Sequence, residues 1–183
     1  MPSDALVTGL LSGAILLAFV IVVGVWASPL VFFIVVELFL LLAVREYVTL
    51  AVASRHDVPG VPSAVAAMLT CAAFAAPALG VAVPLDVVLL TALVALGALA
   101  LPRWTGGRDA VGLAAASVFP CIYLGLPLGA MISIRQARGS EALFLLMLTV
   151  IVSDTAQYYT GRAFGRRLLA PAISPKKTIE GAL

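Results

Sequence analysis

The residues best suited to chemistry lie in one stretch, residues 153–181, with the sequence SDTAQYYTGRAFGRRLLAPAISPKKTIEG. An ionisable residue at membrane depth is costly and favours a functional site. Guanidinium and ammonium groups bind phosphate oxygens. The stretch therefore predicts a site for a phosphate-bearing ligand. It begins with Asp154, which follows an uncharged run over residues 143–152, and continues with the cations Arg162, Arg166, Arg167, Lys176 and Lys177.

The first part of this stretch carries a polar stripe if it is helical. Asp154, Gln157, Tyr158 and Gly161 are spaced i, i+3, i+4 and i+7, so they share one helix face. Gly161 and Gly165 form a small-xxx-small pair, which predicts the close approach of another helix. A structural alternative stays open, in which Asp154 hydrogen-bonds a neighbouring helix and the arginines are interfacial anchors.

The second part of the stretch predicts the start of a helix. Ser174 suits the N-cap and Pro175 suits the first helical position, which puts Lys176 and Lys177 in the first turn. Cations there oppose the helix dipole, so we expect a bound anion to compensate them. Free backbone N–H groups, a hydroxyl and two ammonium groups suit a phosphate. The alternative is a solvated basic tail that touches anionic lipid headgroups.

The composition sets the class of protein that holds this stretch. Of 183 residues, 63% are hydrophobic and 11% are charged, against about 45–50% and about 25% in soluble domains. Uncharged runs cover residues 5–36, 58–85, 87–102 and 110–134, and helices of about 20 such residues cross a bilayer. The predicted fold class is all-α, a polytopic transmembrane helical bundle. We expect no cleaved signal peptide, because the N-terminus lacks a basic n-region.

About six spans are predicted, with both termini on one side. Arg135 and Arg138 lie on the other side, and nine cations share the side of the termini. The positive-inside rule therefore places both termini in the cytoplasm. The approximate spans are 6–26, 30–48, 61–81 (interrupted by Pro77), 85–101, 110–134 (kinked by Pro120 and Pro127) and 142–164. The nine cations are Arg45, Arg55, Arg103, Arg108, Arg162, Arg166, Arg167, Lys176 and Lys177.

Other polar residues in or beside the spans are weaker candidates. Glu37 lies seven residues into the second span and either serves the site or pairs with a polar neighbour. His56 is the only histidine and lies in a predicted loop, so a solvated role is favoured. Cys71 and Cys121 lack the spacing of metal ligands, and we expect both to be buried small side chains.

The motifs of residues 154–181 resemble those of the phosphatidate cytidylyltransferase family, the CDP-diacylglycerol synthases. The first piece, D-x-x-x-Y-x-x-G-R-x-F-G, runs from Asp154 to Gly165, and the second, S-P-K-K-T-x-E-G, runs from Ser174 to Gly181. Upstream, residues 45–47 (Arg-Glu-Tyr) are a weaker echo of the family pattern. The resemblance is specific over the last thirty residues and compatible with the family before them.

The resemblance implies an enzyme that uses CTP and phosphatidic acid. The lipid phosphate attacks the α-phosphorus of CTP and gives CDP-diacylglycerol and pyrophosphate, with Mg²⁺ as the expected cofactor. Asp154, Lys176 and Lys177 would be catalytic, with Asp154 also a metal ligand. The residues implied in substrate binding are Gln157, Tyr158, Gly161, Arg162, Arg166, Arg167, Ser174, Thr178 and Glu180.

The sequence departs from the family in one respect. Family members carry a C-terminal signature with Lys-Asp and His-Gly-Gly-x-x-Asp-Arg, whose acidic residues are the expected main metal ligands, and residues 1–183 contain no match to it. We therefore expect the N-terminal two-thirds of the enzyme, in a truncated or split form, with a second chain carrying the signature as a candidate partner. The alternative is a non-catalytic membrane subunit that binds anionic lipid or completes a partner's active site.

The predicted organisation is one transmembrane domain over residues 1–183. Residues 1–141 form a scaffold of five spans, and residues 142–183 hold the sixth span and a cytoplasmic motif that binds nucleotide and phosphate. We expect an integral protein of a bacterial inner membrane, with its active face in the cytoplasm. Membrane lipids are expected partners, a homodimer is permitted by the Gly161/Gly165 surface, and no nucleic acid partner is expected.

Overall fold

The computed structural model of the chain describes residue 15 and residues 17–104, 106, 109–170 and 174–182. Within these residues the structure is helical apart from one two-stranded sheet. It divides into two compact units, Met1–Ser140 and Glu141–Leu183. The start of the first predicted span, residues 6–14, and the predicted loop cation Arg108 lie outside the described residues.

The helices of the first unit begin where the sequence carries start signals. Helix α2 has Ser28 as its N-cap, whose Oγ accepts a hydrogen bond from the Val31 N–H at 3.3 Å, and Pro29 as its first residue. Helix α4 begins after Pro84 with Asp86 in its first turn, which suits the helix dipole. The helices are α1 (Leu17–Trp26), α2 (Pro29–Ala53), α3 (Gly60–Ala73), α4 (Leu85–Ala100), α5 (Ala110–Pro120) and α6 (Leu126–Phe164).

Two of the three prolines predicted to interrupt helices, Pro77 and Pro120, do so, and Pro127 does not. Helix α3 ends at Ala73, and Pro77 lies in a short 3₁₀ helix, Ala76–Leu79, so the interruption expected in the third span is present. Pro120 ends α5 and is followed by a π-helical turn, Cys121–Gly125, as expected where a proline removes a backbone donor. Pro127 lies in the first turn of α6, where a missing N–H costs little.

Helix α6 is two helices that meet at Gly139. This residue has φ 84° and ψ 172°, a conformation that glycine adopts at little cost and that interrupts the helix. The break coincides with the boundary between the two units at Ser140 and Glu141.

Among the residues that the structure describes, two stretches are long and apolar enough to cross a membrane, Leu85–Arg103 with 19 residues and Ala110–Phe164 with 55. Helix α3 has 14 residues, so it is only about 21 Å long against a hydrocarbon core of about 30 Å. Helix α2 has 25 residues but carries Glu37, Arg45 and Glu46. The count of six spans and the sidedness of the chain remain predictions.

The first unit buries a few hydrogen-bonded polar groups in its core and exposes many large apolar side chains. Ser63 Oγ donates to the Ser117 carbonyl at 2.9 Å, and Ser117 Oγ donates to the Leu113 carbonyl at 2.8 Å, both fully buried. In contrast, large apolar side chains such as Val61 and Val94 are more than two-thirds exposed. A soluble protein rarely exposes such a surface. An apolar outer surface of this kind is typical of a helical membrane protein.

Short polar contacts join the helix ends of the first unit. Tyr47 Oη donates to the Ala116 carbonyl at 2.7 Å, which ties α2 to α5. His56 Nε2 lies 2.9 Å from Asp109 Oδ2, just before α5. The role predicted for His56 as a merely solvated residue is therefore wrong, because a carboxylate 53 positions later in the chain meets it. Cys71 and Cys121 are free and fully buried, as predicted.

The second unit contains the end of α6 and a hairpin. Strand β1 (Leu168–Ala170) pairs antiparallel with strand β2 (Ser174–Thr178), with Leu168 opposite Thr178 and Ala170 opposite Ser174. A short helix, α7 (Ile179–Ala182), follows. Ser174 is therefore not an N-cap, and the predicted helix from Pro175 is wrong. Pairing with β1 extends these residues, and the helical turn begins after Thr178.

Candidate phosphate-binding site

The site is built on three glycines that let the chain fold back onto the end of α6. A Cβ on Gly181 would lie 2.7 Å from Gly161 Cα and 2.8 Å from the Gln157 carbonyl oxygen. A Cβ on Gly165 would lie 2.6 Å from Thr178 Cγ2. The close approach predicted for the Gly161/Gly165 pair therefore exists, but its partner is the segment 178–181 of the same unit rather than another membrane helix.

Glu180 stabilises the turn at Arg166 and Arg167 that follows α6, the arginine turn. Its Oε2 accepts hydrogen bonds from the backbone N–H of Arg166 at 3.0 Å and of Arg167 at 3.2 Å. The bond from Arg166, followed by those from its own N–H and from Arg167, lowers the pKa of the Glu180 carboxyl. Glu180 is thus a charged acceptor that fixes a turn, which is the task of a positioning residue.

Thr178 is the cap of the last helical turn. Its Oγ1 accepts a hydrogen bond from the Gly181 N–H at 3.3 Å and lies against the Cα side of Gly161. This is the i to i+3 bond of an N-cap. The capping role predicted for Ser174 therefore falls four residues later, on Thr178, and its hydroxyl is half-buried and used within the fold.

The hairpin register brings two cationic segments to one end of the sheet. The Ile179 N–H donates to the Arg167 carbonyl at 2.9 Å, and Thr178 lies opposite Leu168. Arg166 and Arg167 directly precede Leu168, the first residue of β1, and Lys177 directly precedes Thr178 on β2. The side chains of all three are exposed. Residues ten apart in the sequence thus meet at one end of the hairpin. The Lys176 side chain lies outside the described atoms.

The predicted polar stripe lies on the exposed end of α6. Asp154, Gln157 and Tyr158 are all exposed. Gln157 Nε2 donates to Ser153 Oγ at 3.1 Å, and Arg162 Nη1 donates to Tyr158 Oη at 3.4 Å. Gln157 and Tyr158 are therefore each paired with a neighbour on the same helix, and the role of the stripe in a site stays a prediction. Ser174, the last predicted binding residue, is half-buried at the start of β2.

The charge of this region favours an anionic ligand. Residues 155–182 contain five cations and a single carboxylate. That carboxylate, on Glu180, is already engaged by backbone N–H groups. Guanidinium and ammonium groups without carboxylate partners bind di- and triphosphates by charge-assisted hydrogen bonds. Within the described residues of this unit, we find no ion pair that would neutralise the arginines.

The described residues do not form a magnesium site of their own. They contain no group of three His, Cys, Asp or Glu side chains that could hold a metal ion. Magnesium is bound by one or two carboxylates together with substrate phosphates, and here Asp154 is the exposed carboxylate of the stripe. Asp154 can supply one ligand.

Glu37 is a feature whose surroundings the sequence did not predict. It is only 8% exposed, and the Cys71 thiol of α3 is the polar group beside it. Neither carboxyl oxygen has a partner at ordinary hydrogen-bond geometry among the described residues, so the polar neighbour considered for Glu37 from the sequence is a weak donor. Buried carboxylates without partners are costly, so Glu37 marks an unusual position in α2.

Residues 9–183 match the sequence profile of the cytidylyltransferase family. Three curated phosphatidate cytidylyltransferases are similar over parts of the chain. The protein of Mycobacterium bovis is 37% identical over 83 residues, 42% of this chain and 27% of its own length. That of Aquifex aeolicus is 37% identical over 67 residues, 37% of this chain and 26% of its length. That of Haemophilus influenzae is 48% identical over 46 residues, which are 24% of this chain and 16% of its own length.

These matches confirm the resemblance read from residues 154–181. The matched part spans about a quarter of the length of the Mycobacterium bovis and Aquifex aeolicus relatives. No solved structure matches the chain.

Proposed function

Because the chain belongs to the cytidylyltransferase family, we propose that it serves as a CTP:phosphatidate cytidylyltransferase of phospholipid biosynthesis. The observation that supports this most directly is the joining of the two motif pieces in one compact unit. Gly161 and Gly165 of the first piece pack against Thr178 and Gly181 of the second. The proposal places the protein in a bacterial inner membrane, with residues 142–183 at the cytoplasmic face.

The proposed reaction transfers a cytidylyl group to a lipid phosphate. An oxygen of the phosphatidic acid phosphate attacks the α-phosphorus of CTP. A new P–O–P bond forms, the bond between the α-phosphorus and the bridging oxygen breaks, and pyrophosphate leaves with that oxygen. The attacking group is the substrate itself, so the protein needs no nucleophile. It has to align two polyanions and offset their charge.

The exposed cations at one end of the hairpin suit this task. Arg166, Arg167 and Lys177 would hold the phosphates of CTP, with Lys176, Ser174 and Thr178 as further contacts. Arg162, Gln157 and Tyr158 would hold the lipid headgroup along the end of α6. Glu180 would position the arginine turn through its backbone bonds. Gly161 would allow the two parts to meet.

Magnesium is the proposed cofactor, and it would neutralise phosphate charge when bound. Asp154 would be a catalytic residue that supplies one ligand or orders a lysine. Because the described residues hold no cluster of three metal-binding side chains, the remaining ligands would come from substrate phosphates and from residues of a further segment. A second chain that carries the family's C-terminal signature is one source of such a segment, and a homodimer is a further proposed assembly.

The first test is an activity assay on the purified protein in detergent. Radiolabelled CTP, phosphatidic acid and magnesium are supplied, and CDP-diacylglycerol is measured. We expect formation either by the chain itself or after addition of a segment that carries the C-terminal signature. A chain that binds neither CTP nor phosphatidic acid under both conditions would contradict the proposal.

The second test replaces one cation of the hairpin. Lys177→Ala removes one charge-assisted phosphate contact, worth about 1.5–3 kcal/mol. We therefore expect kcat/KM for CTP to fall by at least about tenfold. The matched control is Arg138→Ala, an exposed cation of the first unit, which should leave kcat/KM unchanged. Equal turnover in the two variants would show that Lys177 does not contact CTP.

A second candidate function is a non-catalytic membrane subunit. The absence of a complete acidic cluster in the described residues favours it, since such a subunit needs only the cationic surface to bind anionic lipid or to complete a partner's active site. Binding of phosphatidic acid without any turnover, alone or with the added segment, would support this alternative. Other acceptors in the same chemical class, including another lipid phosphate, would be distinguished by exchanging the lipid in the assay.

A further inference from the structure

Arg135 of the first unit lies beside a small cavity that the proposed function does not use. The cavity measures about 210 Å³. It lies between the start of α2 and the segment of α6 before the Gly139 break. Its lining consists of Pro29, Phe32, Ile132, Arg135, Gln136 and Ser140.

The guanidinium of Arg135 is held in place by three contacts on one side. Its Nη1 donates to the Ser28 carbonyl at 3.5 Å, and its Nη2 donates to the Ala27 carbonyl. Its charged end lies over the Phe32 ring, with 4.6 Å between Cζ and the ring centroid. A guanidinium has five N–H donors, and these contacts use two of them. The side chain is therefore oriented before any ligand binds.

One donor of the guanidinium, Nε, is buried and has no hydrogen-bond partner among the described residues. The ion pairs found in the described part of the chain, His56 with Asp109 and Arg103 with Asp57, do not involve Arg135. A partly buried charge with an unpaired donor is costly unless an anion completes it. An anion in the adjoining cavity would accept from Nε and offset the charge.

The surrounding groups specify what kind of anion fits. Arginine presents a planar fork that matches phosphate oxygens. The Gln136 amide and the Ser140 hydroxyl add donors at the same cavity. Since a water molecule occupies about 30 Å³ of liquid volume, a cavity of about 210 Å³ has the space of roughly seven waters. This space accommodates a phosphate with a short attached group.

The position of Arg135 matches the depth at which lipid phosphates lie. Arg135 directly follows the predicted fifth span, and Ala27 and Ser28 join the predicted first and second spans. The structure brings these span ends into contact. Two segments predicted to leave the hydrocarbon core thus meet at one arginine. We propose that the Arg135 cavity binds a phosphate group, carried either by a membrane phospholipid or by inorganic phosphate.

The test compares two variants that lose the same charge. The full protein in detergent is titrated with short-chain phosphatidylglycerol, with the matching diacylglycerol that lacks phosphate, and with inorganic phosphate. Bound ligand is counted by native mass spectrometry. Arg135→Gln is compared with Arg138→Gln, because Arg138 is exposed and lies one helical turn further along α6. Both variants keep every other cation of the chain, so general attraction of anionic lipid is matched.

We expect the wild-type protein and Arg138→Gln to bind the phosphate-bearing probe alike, and Arg135→Gln to bind it at least tenfold more weakly, equal to about 1.4 kcal/mol. Preference for phosphatidylglycerol over both other probes identifies a lipid site, and equal competition by inorganic phosphate identifies a free-anion site. Equal binding by Arg135→Gln and Arg138→Gln for both phosphate probes overturns the proposal.

A second variant keeps the test decisive if Arg135→Gln fails to fold, since Arg135 also joins the helix ends. Ser140→Leu fills the cavity and leaves the Arg135 contacts with Ala27 and Ser28 in place. We expect it to lose phosphate binding at an unchanged midpoint of thermal unfolding. Unchanged phosphate binding by Ser140→Leu would refute the cavity as the site. The outcome is independent of CTP turnover, so it stands or falls separately from the proposed enzyme activity.

Discussion

Replacing Gly181 with alanine tests whether the C-terminal segment is docked on α6. The added Cβ would lie 2.7 Å from Gly161 Cα, 2.8 Å from the Gln157 carbonyl oxygen and 3.0 Å from the Gly161 N. Ordinary contacts between carbon atoms are about 3.5–4.0 Å. All three neighbours are backbone atoms of α6 or its end, so no side-chain rotation relieves the overlap. The segment has to move away from the helix.

The size of the effect follows from this overlap. Overpacking by a methyl group costs about 1–3 kcal/mol, which corresponds to roughly a 5- to 150-fold change in an equilibrium constant. The cost falls on a local contact, so we expect the opening of α7 and β2 from α6 rather than unfolding of the first unit. The hydrogen bonds from Arg166 and Arg167 to Glu180 should open with it, because Glu180 precedes Gly181.

Amide hydrogen exchange measures this opening directly. We expect the protection factors of the Arg166, Arg167 and Ile179 amides to fall by roughly 5- to 150-fold in Gly181→Ala, and those of α2 to stay unchanged. Gly161→Ala should show a smaller loss, because its closest neighbour is the Thr178 hydroxyl at 3.0 Å, which can rotate.

Gly97→Ala is the matched control for this experiment. No heavy atom lies within 4 Å of the added Cβ at Gly97, so this substitution in α4 should leave exchange in the second unit at the wild-type level. Equal protection of Arg166 in Gly181→Ala and Gly97→Ala would refute the docked arrangement. It would also remove the structural support for a joined phosphate site.

Three further substitutions test single contacts. The lowered pKa of Glu180 means that the stabilisation by its carboxylate is present at neutral pH and is lost as pH falls through the lowered pKa. The protection factor of the arginine turn should therefore drop only at a pH below the ordinary range of a glutamate carboxyl. Glu180→Gln should abolish that dependence, and an unchanged pH profile would refute the role. Tyr47→Phe loses the bond to the Ala116 carbonyl and should lower the free energy of unfolding by about 1 kcal/mol. Tyr123→Phe, an exposed tyrosine, is its control, and equal losses in both would contradict the contact. Glu37→Gln replaces a buried carboxylate, whose polar neighbour is the weak donor Cys71, with a neutral amide and should raise the midpoint of thermal unfolding. A lower midpoint would show that Glu37 has a partner.

Several helix ends could be predicted because their signals are local. Ser28 followed by Pro29 predicts the start of α2, and α4 begins at Leu85 and ends within one residue of its predicted end. The predicted sixth span ends at Phe164, as α6 does. A cap, a proline or a change from apolar to charged residues determines each of these ends, and no distant residue is needed. The family could be predicted from the sequence for the same reason, since each of the two motif pieces is contiguous in the chain.

The hairpin could not be predicted from the residues that form it. Ser174-Pro175 carries the signal of a helix start, yet these residues form β2 because β1 lies beside them. Thr178 is as suitable an N-cap as Ser174 from its residue type. The hydrogen bond from the Gly181 N–H to Thr178 Oγ1 makes Thr178 the cap in the structure. The Gly161/Gly165 pair likewise predicted the close approach of another segment, but it did not indicate which segment of the protein this would be. Its partner is the chain's own segment, because Gly181 offers no side chain at the contact.

The sequence alone determined a helical membrane class, a cationic terminal stretch and membership of a family, since composition, periodicity and contiguous motifs carry those properties residue by residue. Only the tertiary structure decided that Glu180 binds the backbone N–H groups of Arg166 and Arg167, and that Arg166, Arg167 and Lys177 meet at one end of a sheet. It also decided that Arg135 has an unpaired Nε beside a cavity. The physical reason is that hydrogen bonds and burial between residues distant in the chain depend on how the elements pack, and local sequence does not encode that packing.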